Sequence, residues 1–368
     1  MKTIPIIFSS NENYIPYLCA CLQSLISHTS RKTIYDINVL YTNLSEDRRL
    51  SILNMETLNV KINFININKI ISKYSQDLFS VCEHFSIETY YRFFLPEIFP
   101  KLDKLIYIDC DTIIQKDIAQ LYNIDIEDKC IGATQCCGII RSFKYGTKQY
   151  QAYFKDILKL KNIYEYFQAG VMILNLTQWR KVNLTSQLLQ CLAKIKTPKL
   201  VDQDILNSVC QGKVKFIPMN WNYTWHIPYV DGTYYEHIGS PLNKQYQNAK
   251  EHPYIIHFTG HGYKPDEKPY YRESRIFWHY ARQTPFYEEI LYKNLKVNPV
   301  QNITQQITKV ADMSIIREIK NYSKNRFNYY RCKLLANFTF GKMRKHYKDK
   351  KKRLKAKIKE VRRFLKGK

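Results

Sequence analysis

Between Thr3 and Phe258 the chain alternates short apolar runs of strand length with longer segments whose apolar residues recur at helical spacing. The strand-like runs are 3–8, 37–41, 62–67, 105–108, 131–134, 171–174, 214–217 and 254–258. Helix-like segments fall at 45–58, 86–97, 177–195 and 202–210, and Tyr14, Leu18, Cys21, Leu22, Leu25 and Ile26 share one face of a further helix. Strands separated by helices predict a doubly wound α/β sheet, in which ligands sit beyond the carboxyl ends of the strands. The residues that follow each strand are therefore the first place to look for chemistry.

Charge divides the chain in two. Residues 315–368 carry 21 Lys+Arg against three acids, leaving only +7 of the net +25 for everything before them. The expected organisation is a folded α/β domain over 1–290 and a basic helical region over 291–368. With 45% hydrophobic residues the chain can bury a sizeable core, which excludes global disorder. The apolar stretch after Met1-Lys2 stops at Phe8, too short for a secretory signal, and no apolar run reaches the ~18 residues of a membrane span. The ten cysteines form no CxxC pair, a pattern that suits buried thiols in a reducing, cytoplasmic compartment better than disulfides or a zinc site.

Four motifs carry chemistry. The run 105–108 leads straight into Asp109-Cys110-Asp111, two carboxylates one residue apart that project the same way and offer hard oxygen ligands to Mg²⁺ or Mn²⁺. Taken alone the pair also reads as a helix cap plus a solvated acid, or as the aspartyl nucleophile of a haloacid-dehalogenase-like phosphatase. That second reading is weak, because Ile113 stands where such enzymes carry Thr or Val and no Gly-Asp pair follows. Phe167-Gln168-Ala169-Gly170 enters a strand through a glycine that permits close approach of a ligand, or merely of a packed helix. Asp202-Gln203-Asp204 and Asn207 supply donors and acceptors suited to sugar hydroxyls, although one acid could simply cap the helix. His257, then Gly260, Gly262 and Lys264, would suit a third metal ligand followed by a phosphate clamp, while a lone His is more often structural.

With Phe8–Tyr14 and His84–Phe93, these motifs fall in an order that closely resembles the retaining glycosyltransferases of family 8, notably bacterial lipopolysaccharide galactosyl- and glucosyltransferases. The resemblance covers about residues 1–282 and implies a Rossmann-like mixed sheet of the GT-A type. It implies that Asp109, Asp111 and His257 hold Mn²⁺, with Mg²⁺ as the alternative, and that Asn11 and Asn13 lie at the nucleotide base. It further implies that Arg92 and Gln168 contact the donor, that Gly260 and Lys264 bind the diphosphate, and that Asp202 and Gln203 face the donor sugar. Gln203 then lies nearest the anomeric carbon. The implied partners are a UDP-hexose and a glycan or glycolipid acceptor. Four departures bear on the donor: Gln168 where relatives commonly have Asn, Cys136 near a usual Asp, Asn11 where an Asp often meets the base, and one extra residue in the loop before Lys264.

In the tail, Met343, Tyr347, Leu354, Ile358, Val361 and Leu365 fall at helical spacing within an almost wholly basic sequence. An amphipathic basic helix of this kind suits an anionic membrane surface. Nucleic acid is the rival partner, disfavoured because the charge is confined to the tail rather than spread over a folded face. A catalytically impaired carbohydrate-binding relative is the other competing reading, which the altered Gln168 and Cys136 positions permit.

Overall fold

A computed structural model describes residues 2–79, 86–225, 239–259, 266, 271–297, 348–356 and 359. Ten strands occur among them: β1 (Lys2–Ser9), β2 (Thr33–Tyr41), β3 (Val60–Asn66), β4 (Lys104–Ile108), β5 (Thr112–Ile114), β6 (Ile131–Ala133), β7 (Val171–Asn175), β8 (Val214–Phe216), β9 (Tyr223–Thr224) and β10 (Ile255–His257). Seven form one sheet in the order β3-β2-β1-β4-β7-β6-β8, and β5-β10-β9 form a second. In the large sheet only β7 runs against its neighbours, so the sheet is mixed but dominated by parallel pairs.

Parallel strands are normally covered on both faces, and the sequence supplies that cover. Successive residues of a strand point to opposite sides, so Ile6 and Ile106 pack with Leu18, Leu22 and Leu25 of helix Ile15–Ile26 on one face. Ile7, Tyr107 and Met172 pack with Leu188 and Ile205 on the other. Each fully buried aliphatic side chain contributes about 1.5–3 kcal/mol.

The order of strands creates the crevice. From β1 the chain moves outward through β2 and β3, then returns to place β4 on the other side of β1. Such a reversal leaves a cleft beyond the carboxyl ends of the two central strands. The register Ile7↔Tyr107 carries the Asn11 loop and the Asp109 pair to this same edge. Because β7 is antiparallel, its amino end lies there too, with Val171 opposite Ile108.

Several expected elements differ in detail. Segment 177–195 is broken into helices Leu176–Lys181 and Leu184–Ile195 by Asn183, whose φ of +49° is one that asparagine tolerates. Segment 45–58 is helical only over Glu46–Leu53. Segment 86–97 is mainly a 3₁₀ helix, Ile87–Phe94, with one α-turn at Leu95–Ile98. Strands β5 and β9, and helices Cys137–Tyr145, Ser240–Glu251 and Arg272–Ala281, were not anticipated from the periodicity. The eight described cysteines are all unpaired.

The chain divides into two units, Met1–Leu291 and Tyr292–Lys368. In the second, residues 348–356 are helical, and of the tail's six apolar positions only Leu354 lies among the described residues. No described helix is long and apolar enough to cross a membrane.

Candidate active site

Two hydrogen-bonded pairings bring the acidic pair to a histidine distant in sequence. Asp109 N–H donates to the Gly170 carbonyl at 2.7 Å, and β5 pairs with β10 so that His257 lies opposite Thr112. His257 Nε2 then stands 3.2 Å from Asp111 Oδ1 and 3.8 Å from Asp109 Oδ2. One ligand atom from each of the three lies within 4.8 Å of the others. Two hard carboxylates and an imidazole are a donor set for a divalent cation, so these residues fit a metal of that class.

The packing around the triad leaves no slack. A Cβ on Gly170 would collide with Asp109 Oδ2 and His257 Cε1, and would stand 2.9 Å from His257 Nδ1. The glycine at the entry of β7 is there to let these two side chains meet. His257 is 2% exposed, and its Nδ1 lies 3.0 Å from Asn222 Oδ1, which accepts the imidazole proton and turns Nε2 toward the carboxylates. Burial pulls the imidazolium down, but the charges of Asp111 and Asp109 outweigh it and hold His257 above the usual histidine range.

Asn222 is held in turn. Its amide donates to Gln168 Oε1 at 2.6 Å, and the same oxygen accepts the Gly170 N–H at 2.6 Å. Gln168 thus spends its carbonyl on the scaffold that carries His257, leaving its NH₂ as the group with further hydrogen-bonding capacity.

Arg92 joins Asp109 to Asp202. In a 3₁₀ helix residues i and i+3 eclipse, which puts Thr89 and Arg92 on one line facing Asp202. The Thr89 hydroxyl donates to Asp202 Oδ1, and Arg92 Nε approaches Asp202 Oδ2 at 3.1 Å while its N–H is aligned on the Thr89 carbonyl. Nη1 donates to the Ala169 carbonyl at 2.6 Å, and Nη2 to Tyr107 Oη and Asp109 Oδ1 at 2.9 and 2.8 Å. Every guanidinium nitrogen is engaged within the protein, and the residue is 3% exposed. Burial nevertheless dominates at Asp202, whose carboxyl is pushed up to about 6 against the pull of Arg92.

Gln203 follows on helix Val201–Val209. Its Oε1 accepts the Ala169 N–H at 3.0 Å, and its Nε2 lies 3.4 Å from Tyr166 Oη and 4.0 Å from Cys136 Sγ. Val201, at φ +40°, holds a conformation rarely adopted by a β-branched residue, a strain of about 1–3 kcal/mol stored beside Asp202. Asn207 locks the helix to Phe167 through two hydrogen bonds.

Asn11 and Asn13 lie in the loop after β1. Asn11 Oδ1 accepts the N–H groups of Asn13 and Tyr14, and its amide donates to Glu88 Oε2 at 3.2 Å, while Asn13 is exposed. Gly260 and Lys264 lie outside the described residues. The structure therefore brings together Asp109, Asp111, His257, Arg92, Gln168, Asp202 and Gln203. Sequence reasoning missed Thr89, Glu88 and Asn222: the first two lie inside the 84–93 motif, where only Arg92 is singled out, and Asn222 sits in no recognised motif.

Crevice, sheet order and acidic pair define a transferase-like fold of the GT-A type. The chain belongs to glycosyltransferase family 8: the model of the family described as Glycosyl transferase family 8 matches residues 5–267. A putative glycosyltransferase of Haemophilus influenzae is 33% identical over 240 residues, 61% of this chain and 64% of its own length. General stress protein A of Bacillus subtilis is 25% identical over 289 residues, 76% of this chain and 93% of its own. Among solved structures, the apo form of the bifunctional glycosyltransferase WbbM superposes with a TM-score of 0.70 at 26% identity, over 80% of this chain but 52% of that one. The galactosyltransferase LgtC, solved in complex with donor and acceptor sugar analogues, shares the fold at a TM-score of 0.60 and 23% identity, covering 77% and 96%. The chain thus spans less than two thirds of the Haemophilus relative and about half of WbbM.

Proposed function

We propose that this chain transfers a hexose, galactose or glucose, from a UDP-sugar to a glycan or glycolipid acceptor such as lipopolysaccharide, with retention at the anomeric carbon. The observation that carries the reading is the convergence of Asp109, Asp111 and His257 at the crevice edge, packed against Gly170 and within reach of the Asp202–Gln203 helix. The donor and acceptor analogues bound by LgtC support the pairing of a sugar donor with a sugar acceptor.

Transfer breaks the bond from the anomeric carbon to the diphosphate oxygen and forms one to an acceptor oxygen, whose hydroxyl proton passes to the departing diphosphate on the same face. A Mn²⁺ ion held by Asp109, Asp111 and His257 would offset charge on the departing diphosphate. The protein's own contribution is positioning. Arg92 keeps the half-buried Asp109 and the buried Asp202 from repelling one another, since it touches both. Gln203 is neutral and a poor nucleophile, so attack from the face of the departing diphosphate is favoured over a covalent intermediate, with the amide dipole beside a positive anomeric centre. Asn11 and Asn13 would meet the base and Lys264 the diphosphate.

The basic tail would hold the enzyme at the inner face of the cytoplasmic membrane. Deleting residues 342–368 should lower binding to anionic vesicles and spare turnover of a soluble acceptor; unchanged vesicle binding would remove the tail from this role. The transferase reading is tested by screening UDP-sugars with Mn²⁺ for donor hydrolysis or transfer and determining the product anomer by NMR. Absence of turnover with every UDP-hexose, or an inverted anomer, would overturn it.

A further inference from the structure

The segment between β6 and β7 combines exposure, apolar character and positive charge more densely than any other described part of the first unit. Among the described residues of that unit five large hydrophobic side chains are exposed, and three of them, Tyr145, Ile157 and Tyr164, fall within this segment. Residues 137–165 also hold six Lys or Arg against two acids, so these 29 residues carry +4 of the +7 found in residues 1–314. Lys148, Lys155, Lys159 and Lys161 are exposed, and none is among the lysines that pair with a carboxylate.

Part of this set shares one surface. Phe143, Lys155, Lys161 and Tyr164 line a single cleft of about 220 Å³. Lys155 lies over the Phe143 ring and Lys144 over the Tyr145 ring. Beneath them the rings of Phe143, Tyr150, Tyr153 and Tyr166 all meet Phe154 edge-on, so the exposed residues stand on a firm aromatic base.

We propose that residues 137–165 form a membrane-facing platform that seats on an anionic lipid surface, with Tyr145, Ile157 and Tyr164 entering the headgroup region and the surrounding lysines meeting lipid phosphates. The composition distinguishes this partner from others. Protein interfaces are depleted in lysine at their centres, whereas lysine stems can lie on an apolar surface with the ammonium reaching phosphate. Tyrosine is enriched at the membrane–water boundary, where an apolar ring and a polar tip are both accommodated. A nucleic acid would use the lysines but gains nothing from an exposed isoleucine.

The platform is tied to the candidate site. The Tyr153 and Tyr166 hydroxyls donate to the two oxygens of Asp204 at 2.6 Å each, on the helix that carries Asp202 and Gln203. Cys136, at the start of the same segment, is 4.0 Å from Gln203 Nε2. A surface that seats on lipid would therefore hold this helix in a fixed relation to the bilayer, as an enzyme acting on a membrane-embedded acceptor requires. The proposal does not depend on the transferase reading or on the tail, and its test needs no turnover.

The four tryptophans of the chain are all buried, so Tyr164→Trp in the full chain introduces an exposed reporter. With vesicles of phosphatidylcholine and phosphatidylglycerol, its emission should shift to the blue and be quenched by brominated acyl chains, while the wild type is unaffected. Ile157→Ser combined with Tyr164→Ser should lower partition at least about threefold in high salt, where the tail's attraction is screened and apolar insertion persists. A reporter that stays unshifted and unquenched on vesicles that sediment with the protein would overturn the platform. So would equal partition of the double variant, or a blue shift produced by oligonucleotide or self-association but not by vesicles.

Discussion

His257 Nδ1 and Asn222 Oδ1 lie 3.0 Å apart in the core of the site, both residues almost fully buried. With Asn222 Oδ1 accepting from Nδ1–H, Nε2 is the imidazole nitrogen that faces Asp111, and its lone pair would be the one available to a metal ion. Gln168 extends the chain of contacts by one residue, so that it is linked to His257 through Asn222. Replacing Asn222 by Leu should weaken Mn²⁺ binding about 10–100-fold, the usual cost of losing such a partner. Titration of free Mn²⁺ by electron paramagnetic resonance reads this directly. Asn222→Asp, which retains the acceptor oxygen, should recover most of the affinity; equal affinity in the Leu variant would refute the relay.

Gly170→Ala tests the packing of the triad. The added methyl has no room between Asp109 and His257, so backbone or ligands must shift. Overpacking of this kind costs about 1–3 kcal/mol, and a lowered melting temperature should accompany a loss of Mn²⁺ affinity. A variant with unchanged melting temperature and Mn²⁺ titration would show that the three side chains are not held against this glycine.

The buried Asp202 gives a pH signature with a definite sign. Its carboxyl is pushed up to about 6 from an ordinary 3.8, burial outweighing Arg92. Between those values the folded chain holds a proton that the unfolded chain has released, so this group's contribution to stability falls as pH rises through that window and is level outside it. Urea midpoints of the wild type should lose on the order of 2 kcal/mol relative to Asp202→Asn between pH 4 and pH 7. Parallel pH profiles for the two proteins would mean that Asp202 titrates normally.

How much of this was legible beforehand depends on whether a residue's role is local or relational. All eight strand-like runs became strands, because a strand inside a sheet shows as a short apolar run whatever its partners and their direction. Asp109 and Asp111 could be read as a site because both lie at the end of one such run. The partner strands β5 and β9 are three and two residues long, too short to carry a period, yet they deliver His257 and Asn222 to the acids. Thr89 and Arg92 meet Asp202 only because segment 87–94 winds as a 3₁₀ helix, a choice made by packing rather than by composition. Asn11 illustrates the converse: the motif singles it out, while its turn-forming bonds to Asn13 and Tyr14 are visible only in the fold.

Gln203 bears on mechanism. Its Oε1 is occupied by the Ala169 N–H, which fixes the amide in one orientation and leaves Nε2 between Tyr166 Oη and Cys136 Sγ. An amide held in this way can position a dipole beside a developing positive charge, but it is not activated by any neighbouring base as a nucleophile would be. Gln203→Ala should therefore lower kcat by about 10–100-fold without abolishing transfer, since the metal-side acids and Arg92 do not contact it. Gln203→Glu separates the two mechanisms further, because a carboxylate at this position could trap the sugar covalently while the amide could not. Intact-mass spectrometry of the wild type with donor should show no glycosylated enzyme. A hexose adduct mapped to Gln203, or complete loss of turnover in the alanine variant, would replace same-face attack with a double displacement through this residue.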